Sequence, residues 1–427
     1  MTSSSTSRRR VLVVGGGLAG LACARDVVAR GHDAVVFEAS DRVGGRCTSD
    51  VVDGFTLDRG FQILLTAYRE VRTLVDLNSL DLRAFWPGAM VFDGRRLRSY
   101  PNPLREPVAA LASLCSGGIG WDELRSALPL ARAMRDARDE HAVATGSTAL
   151  AWLRERGIAP SLIERFFRPF FAGVFLDPSL ETDAGRLRFY MSCFAQGEAT
   201  VPAGGMRRLP EAIAAQLPPG TVRTSTPIVR ATSNSVELAG GGIERGDTVV
   251  LAVDMSSLGA FVPGAATLPW LSTITLWFAT NGPTPLGRRL LLNGSGRGVT
   301  NHIADLSAVA PEYAPRGRGL VAANIVGRSG DLDRGVGSVR ELAIQATTEI
   351  EGALGRSSTQ GWELVKVDRI DRAIPRQHPR DLAGRSSDGA QRLDGPGGMI
   401  VAGDHCADAS INGALRSGRS AAALALA

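Results

Sequence analysis

Ten residues near the start of the chain, VLVVGGGLAG at 11–20, restrict the available folds more than any other stretch. An unbroken apolar run with no polar alternation suits a strand buried on both faces of a parallel sheet. The run passes directly into Gly15-Gly16-Gly17-Leu18-Ala19-Gly20 and then into LACARDVVARG, which has helical periodicity. In this strand-to-helix setting a G-x-G-x-x-G pattern has a mechanical meaning. Gly15 permits the tight turn, Gly17 lets a pyrophosphate approach the backbone, and Gly20 lets helix and strand pack closely. The unsatisfied N–H groups at the helix start then face the anion. A polar turn at Gly31-His32-Asp33 leads to a second apolar strand, AVVFE, which ends on Glu38. A carboxylate there can accept hydrogen bonds from both hydroxyls of a ribose, and it disfavours a 2′-phosphate. These residues predict a βαβ unit that binds a dinucleotide.

At 427 residues the chain is too long for one ordinary hydrophobic core, so two domains are expected. Its composition, 44% hydrophobic and 21% charged, is that of a soluble globular protein. The net charge of +5 comes from scattered arginines with acidic residues between them, which argues against a nucleic-acid partner. The basic residues include a single lysine, Lys366. The five cysteines, Cys23, Cys47, Cys115, Cys193 and Cys406, form no C-x-x-C pair. They read as reduced thiols of a cytoplasmic protein, and neither they nor the five histidines have metal-site spacing. Residues 1–9 read as a disordered tail. No apolar run is long enough to span a membrane, which leaves peripheral membrane contact open.

Two further blocks share the pattern of the first. Val201 to about Asp254 holds Pro202-Ala203-Gly204-Gly205-Met206, a helical stretch, and strand-like runs that include Ile228 and DTVVLAV. The C-terminal block, GGMIVAGDHCADASINGALRSGRSAAALALA, has a buried strand ending near Gly403-Asp404. Ser410-Ile411-Asn412 then leads into a helix with small residues at Gly413, Ser417 and Ala421.

Directly after Glu38 and Ala39, the sequence Arg42-Val43-Gly44-Gly45-Arg46 completes a signature. Together with the glycine loop and the G-D-x-x-x-x-x-S-I-N-G-A pattern, it resembles the flavin amine oxidase and phytoene desaturase superfamily, which includes protoporphyrinogen oxidases. The resemblance implies FAD as cofactor. It makes Gly15, Gly17, Leu18, Ala19, Gly20, Glu38, Ala39, Gly44, Gly45, Arg46, Ile228, Gly403, Asp404, Ser410, Ile411, Asn412 and Ala414 cofactor contacts. It also brings Gly60, Phe61 and Gln62 beside the flavin ring. The expected architecture is α/β: a discontinuous Rossmann-like FAD-binding domain (1–82, 201–263 and 362–427) with an inserted α+β substrate domain (83–200 and 264–361).

The aromatic run Phe166 to Phe175 either packs helices or lines a substrate cavity, and Trp277 on an alternating strand has the same two readings. Phe61, Gln62, Met206, Phe170, Phe171 and Trp277 are the candidate lining of the active site; the flavin itself carries the redox chemistry. His405 and Cys406 lie beside the second FAD motif, where covalent attachment is conceivable. The expected activity is oxidation, desaturation or isomerisation of a hydrophobic small molecule such as an isoprenoid, carotenoid or tetrapyrrole. Alternatives are an amine oxidase using oxygen and a lipid-binding, chaperone-like protein without redox chemistry. Many amine oxidases of the superfamily place a lysine near the flavin on a substrate-domain strand. Lys366 is expected instead in a stretch that returns to the FAD domain, which favours chemistry at carbon.

Overall fold

The computed structural model describes residues 8–102, 105–137, 142–265, 267–327, 338–383, 389–393 and 398–427. Residues 1–7 of the expected tail, His141, and most of the loops expected at 330–337 and 384–398 lie outside these. Arg8 and Arg9, assigned to that tail, are held: Arg8 pairs with Asp33 at 2.6 Å, and the Arg9 N–H donates to His32 Nδ1.

A six-stranded sheet carries the first half of the architecture. Its strand order is Val222–Arg223, Asp33–Phe37, Arg10–Val14, Thr248–Leu251, Ile400–Ala402 and Ala390–Arg392. All neighbours are parallel except the last pair. Strands from all three sequence blocks therefore lie side by side. Leu12, Val13, Val249 and Val250 are fully buried, as strands covered on both faces require. Helix Leu18–Ala29 packs on this sheet and against helix Ile411–Leu426. The two helices approach so closely that a Cβ on Gly418 would lie 2.0 Å from the Ala19 carbonyl oxygen. The edge strand Ala390–Arg392 falls within the stretch expected to be loop.

The second half is a seven-stranded, mainly antiparallel sheet. Its order is Glu363–Pro375, Trp270–Thr280, Gly319–Val326, His302–Asp305, Leu290–Asn293, Ala89–Phe92 and Leu97–Tyr100. Helix Val339–Leu354 covers one face with Leu342, Ala346 and Ile350. A group of helices, including Trp121–Asp136, Arg168–Phe175 and Ala184–Gln196, packs beside it. Strand Glu363–Pro375, in the stretch expected to belong to the FAD-binding domain, is the edge of this sheet. This strand pairs along its length with Trp270–Thr280, and Lys366 faces Trp277 in the register. An isolated run such as WELVKVDRI carries no signal for which of two sheets will take it, because pairing is a long-range choice.

Candidate functional site: a dinucleotide cradle open to an aromatic cavity

The glycine loop takes the shape its sequence demands. Gly15 has φ +108°, and a Cβ there would lie 2.4 Å from the Ala252 carbonyl oxygen, so only glycine fits. Gly20 has no room either: its Cβ would meet the Gly15 carbonyl oxygen at 1.9 Å. Gly17 differs from both, since a Cβ there would meet no protein atom within 4 Å. The space beside it belongs to a cavity of about 1120 Å³. The start of helix Leu18–Ala29 opens on this cavity, and its free N–H groups make that end attractive to an anion. Glu38 stands at the end of its strand, where Oε2 accepts from the Gly16 N–H at 2.6 Å and Oε1 from the Ser40 N–H at 2.8 Å. Oε1 also accepts from the Ser40 hydroxyl at 2.6 Å, so Oε2 is the oxygen that keeps a further acceptor site.

The arm after Glu38 closes over the glycine loop. Gly44 donates its N–H to the Gly16 carbonyl at 2.9 Å and bridges Gly17 in parallel fashion. Both Gly44 (φ +114°) and Gly45 (φ +60°) occupy the region that favours glycine. Arg46 then joins the N-terminal and C-terminal blocks: Nη2 reaches Asp404 Oδ1 at 2.6 Å, and Nη1 donates to the Ala373 carbonyl at 2.7 Å. The Asp404 carboxylate offsets the burial of the guanidinium and raises its pKa further. On the far side, Ser410 caps helix Ile411–Leu426 by accepting from the Gly413 N–H, so a second helix N-terminus opens on the same cavity.

Beyond Gly60, Phe61 and Gln62 the lining is mainly apolar, with Asn102, Arg105, Glu123 and Glu198 among it. Phe166, Phe170 and Phe194 line it in ring contact, with centroids 5.4 Å apart for Phe166–Phe170 and 5.0 Å for Phe170–Phe194. Helix Trp121–Asp136 supplies Leu124, Ala127, Leu130, Ala131 and Met134, one face at helical spacing. A single void thus runs from the dinucleotide cradle into an aromatic corridor.

A model of the flavin containing amine oxidoreductase family matches residues 18–426, nearly the whole chain. The chain belongs to this family. Among its relatives, a ζ-carotene-forming phytoene desaturase from Myxococcus xanthus is 49% identical over 63 residues, 15% of this chain and 12% of that protein. Putrescine oxidase from Kocuria rosea is 47% identical over 74 residues, 17% and 16% of the two chains. These matches span well under two thirds of either relative's length. The structure of wild-type putrescine oxidase bound to putrescine superposes with a TM-score of 0.69, covering 97% of this chain and 98% of that one at 19% identity. The cofactor of this family is FAD.

The cradle fits that cofactor on its own geometry. Two helix N-termini face one void, Gly17 leaves open space where a phosphate would approach, and Glu38 stands where a ribose would need an acceptor. The volume exceeds the roughly 300–1,000 Å³ of a pocket for one drug-sized ligand, leaving room beside the cofactor.

Of the sequence candidates, Gly15, Gly17, Leu18, Ala19, Glu38, Ala39, Gly44, Gly45, Arg46, Gly60, Phe61, Gln62, Phe170, Phe171, Ile228, Gly403, Asp404, Ser410, Ile411 and Ala414 line this one cavity. Four others lie behind its wall. Gly20 is a packing glycine, and the Asn412 side chain accepts from the Glu70 N–H at 3.0 Å. Met206 is fully buried, with its N–H on Asp58; Trp277 is also fully buried and donates from Nε1 to Asp368 at 2.8 Å. Both had been expected to line the active site.

Sequence reasoning missed a polar group opposite Phe61. His302, Asn324 and Thr273 come from three neighbouring strands and line the cavity together. Thr273 Oγ1 donates to Asn324 Oδ1 at 2.6 Å, Asn324 Nδ2 lies 3.3 Å from His302 Nε2, and the imidazole ring centroid is 4.9 Å from that of Phe61. Burial lowers the His302 pKa to about 4, so the ring is neutral at physiological pH. No short-range pattern announces this set, because strand pairing assembles it.

Proposed function

We propose that the protein removes hydride from a carbon of an elongated hydrophobic molecule, of the isoprenoid, carotenoid or tetrapyrrole kind, in a dehydrogenation or isomerisation. When bound, FAD supplies the two-electron acceptor. This chain's residues supply the rest. The aromatic corridor binds an apolar substrate and excludes water, while the wall formed by Phe61, His302, Asn324 and Thr273 positions it without a charge. Such chemistry asks for a C–H held against the ring in a dry pocket rather than for a protein acid or base.

The observation that carries this reading is the position of the lone lysine. Lys366 sits on a strand of the seven-stranded sheet but does not line the cavity. Its ammonium is held by Asp368 Oδ1 at 2.9 Å and Asp50 Oδ2 at 3.0 Å, and these two carboxylates raise its pKa against the opposing effect of burial. It is therefore a charged structural link, unsuited to act as a base at the flavin. The relatives named above act on a carotenoid precursor and on an amine, so the family leaves both chemistries open. The discriminating experiment is anaerobic mixing of the flavin-loaded protein with carotenoid precursors, porphyrinogens and primary amines. Bleaching by a member of the first two groups is expected. Bleaching by amines alone would replace this reading with amine oxidation.

A further inference from the structure

Helix Pro107–Cys115 is built inside out. A helix lying against solvent turns its polar residues outward and its apolar ones to the core. This one carries no charged residue, and its only hydroxyl, on Ser113, is buried and donates to the Ser99 carbonyl oxygen. Its exposed face is Val108, Leu111, Ala112 and Cys115, with Val108 80% and Leu111 61% exposed. A short turn leads to helix Trp121–Asp136, whose first residue, Trp121, is 70% exposed. Single apolar side chains on a surface are ordinary, but three large ones on two consecutive helices mark a contact face.

This face adjoins the mouth of the cavity. Arg105, two residues before the first helix, is exposed and lines the cavity, as does Trp86, which is 51% exposed. Arg289 ties these two parts of the rim together: it pairs with Glu106 at 2.7 Å and lies 5.7 Å from the Trp86 ring centroid. Ile119, Leu124 and Ala127 continue the apolar wall inward. The exposed charges nearby are mostly positive. Arg95, Arg96, Arg105 and Arg125 are exposed, and Arg96 reaches the Gly117 carbonyl at 3.0 Å, in the turn between the two helices. Among the described residues from 93 to 125, Asp122 is the one exposed acid: Asp93 pairs with Arg98, Glu106 with Arg289, and Glu123 is buried.

We infer that this face docks on a lipid bilayer bearing anionic headgroups and seats the cavity mouth against the acyl chains, so that an apolar substrate passes directly from the bilayer into the cavity. The inference rests on the cavity taking a hydrophobic substrate. A second copy of the chain fits the face less well, because a few apolar side chains fall far short of the roughly 20–30 residues a side of a stable protein interface. A protein seated here would also cover the mouth. Arginines beside exposed apolar side chains match an anionic headgroup layer above acyl chains. No helix among the described residues is long and apolar enough to cross a membrane, and a helix of nine residues suits contact along the surface.

Sedimentation of the flavin-loaded protein with vesicles tests this, using phosphatidylcholine alone and phosphatidylcholine with about one-third phosphatidylglycerol. The mixed vesicles should bind at least about tenfold tighter, since each arginine near an anionic surface contributes roughly fivefold. Val108→Ser combined with Leu111→Ser changes only exposed side chains and should weaken binding to mixed vesicles at least about tenfold. Absence of binding to mixed vesicles would overturn the inference, as would binding unmoved by the double substitution. A dimer that the double substitution dissociates, in a chain that binds no vesicles, would assign the face to a second copy instead.

Flavin bleaching by a carotenoid precursor separates this inference from the redox reading. Delivered in detergent micelles, the precursor should bleach wild type and double variant equally; carried in mixed vesicles, it should bleach the variant about tenfold more slowly. Equal bleaching by both routes sinks the docking face and leaves the redox reading intact. Vesicle binding that the double substitution abolishes, in a protein bleached by no carotenoid precursor or porphyrinogen, does the reverse.

Discussion

Gly17 and Gly20 belong to the same motif, and the structure separates their roles sharply enough to predict opposite results for substitution. A side chain on Gly17 meets no protein atom within 4 Å, and its φ of −72° and ψ of −179° are open to any residue. Gly17→Val should cost the apo-protein no more than about 1 kcal/mol, the usual scale of a poor helix N-cap. In a chain of this size that lowers Tm by about 3 °C or less. The new side chain fills the space where a phosphate must approach the helix start. Losing one or two backbone hydrogen bonds to a charged group costs about 2–5 kcal/mol, or roughly thirty- to several-thousand-fold in Kd. The assay is thermal melting with and without FAD. At a concentration 100 times its Kd, FAD stabilises the wild type by about 2.7 kcal/mol, whereas a variant weakened a hundredfold gains only about 0.4 kcal/mol. Gly20→Ala should behave in the opposite way. Its methyl group would lie 1.9 Å from a backbone oxygen, so the apo-protein itself should be destabilised, by about 1–3 kcal/mol or more. The reasoning is refuted if Gly17→Val binds FAD with the wild-type Kd, or if its apo-protein melts as low as Gly20→Ala.

Three further outcomes follow from the cavity wall and the buried carboxylates. Asp404→Ala removes the partner of Arg46 and a cavity-lining acceptor, and should loosen FAD by about 1–3 kcal/mol, read from fluorescence titration. Asp58 is held by Ser49, Met206 and Tyr313, yet burial raises its pKa to about 6. The native state therefore binds this proton more tightly than the unfolded chain, and stability from this group falls as pH rises from about 4 through about 6. Asp58→Asn should flatten that part of the Tm-against-pH curve, and an unchanged slope would show that the carboxyl titrates normally. His302, with its pKa lowered to about 4, should contribute no ionisation to flavin reduction between pH 5 and 8. A limb near pH 6.5 that disappears in His302→Gln would contradict a neutral imidazole.

The cofactor cradle was legible in the sequence because its constraints are local. Gly20 is dictated by the Gly15 carbonyl within the same strand-turn-helix unit, Gly15 by the positive φ of that turn as well as by the distant Ala252 carbonyl, and Glu38 by the end of the next strand. The corridor was half legible: the Phe166–Phe175 run was visible as an aromatic cluster, and Leu124, Ala127, Leu130, Ala131 and Met134 show helical spacing. What could not be read was orientation across sheets. Trp277 alternates with its neighbours as a cavity residue would, but its indole turns to Asp368 on the adjacent strand. The same pairing takes Lys366 into the second sheet, and the joining of three strands creates the His302–Asn324–Thr273 group. Each depends on a register between segments tens of residues apart, which no local pattern encodes.

The central claim, hydride removal from carbon with no part for the only lysine, is tested most directly by the anaerobic rate of flavin bleaching with benzylamine. The rate is to be compared between the wild type and Lys366→Met. The account predicts slow bleaching in both, at equal rates, because the Lys366 ammonium is committed to Asp50 and Asp368 outside the cavity. Rapid bleaching in the wild type that is lost in Lys366→Met would contradict it and would make this protein an amine oxidase.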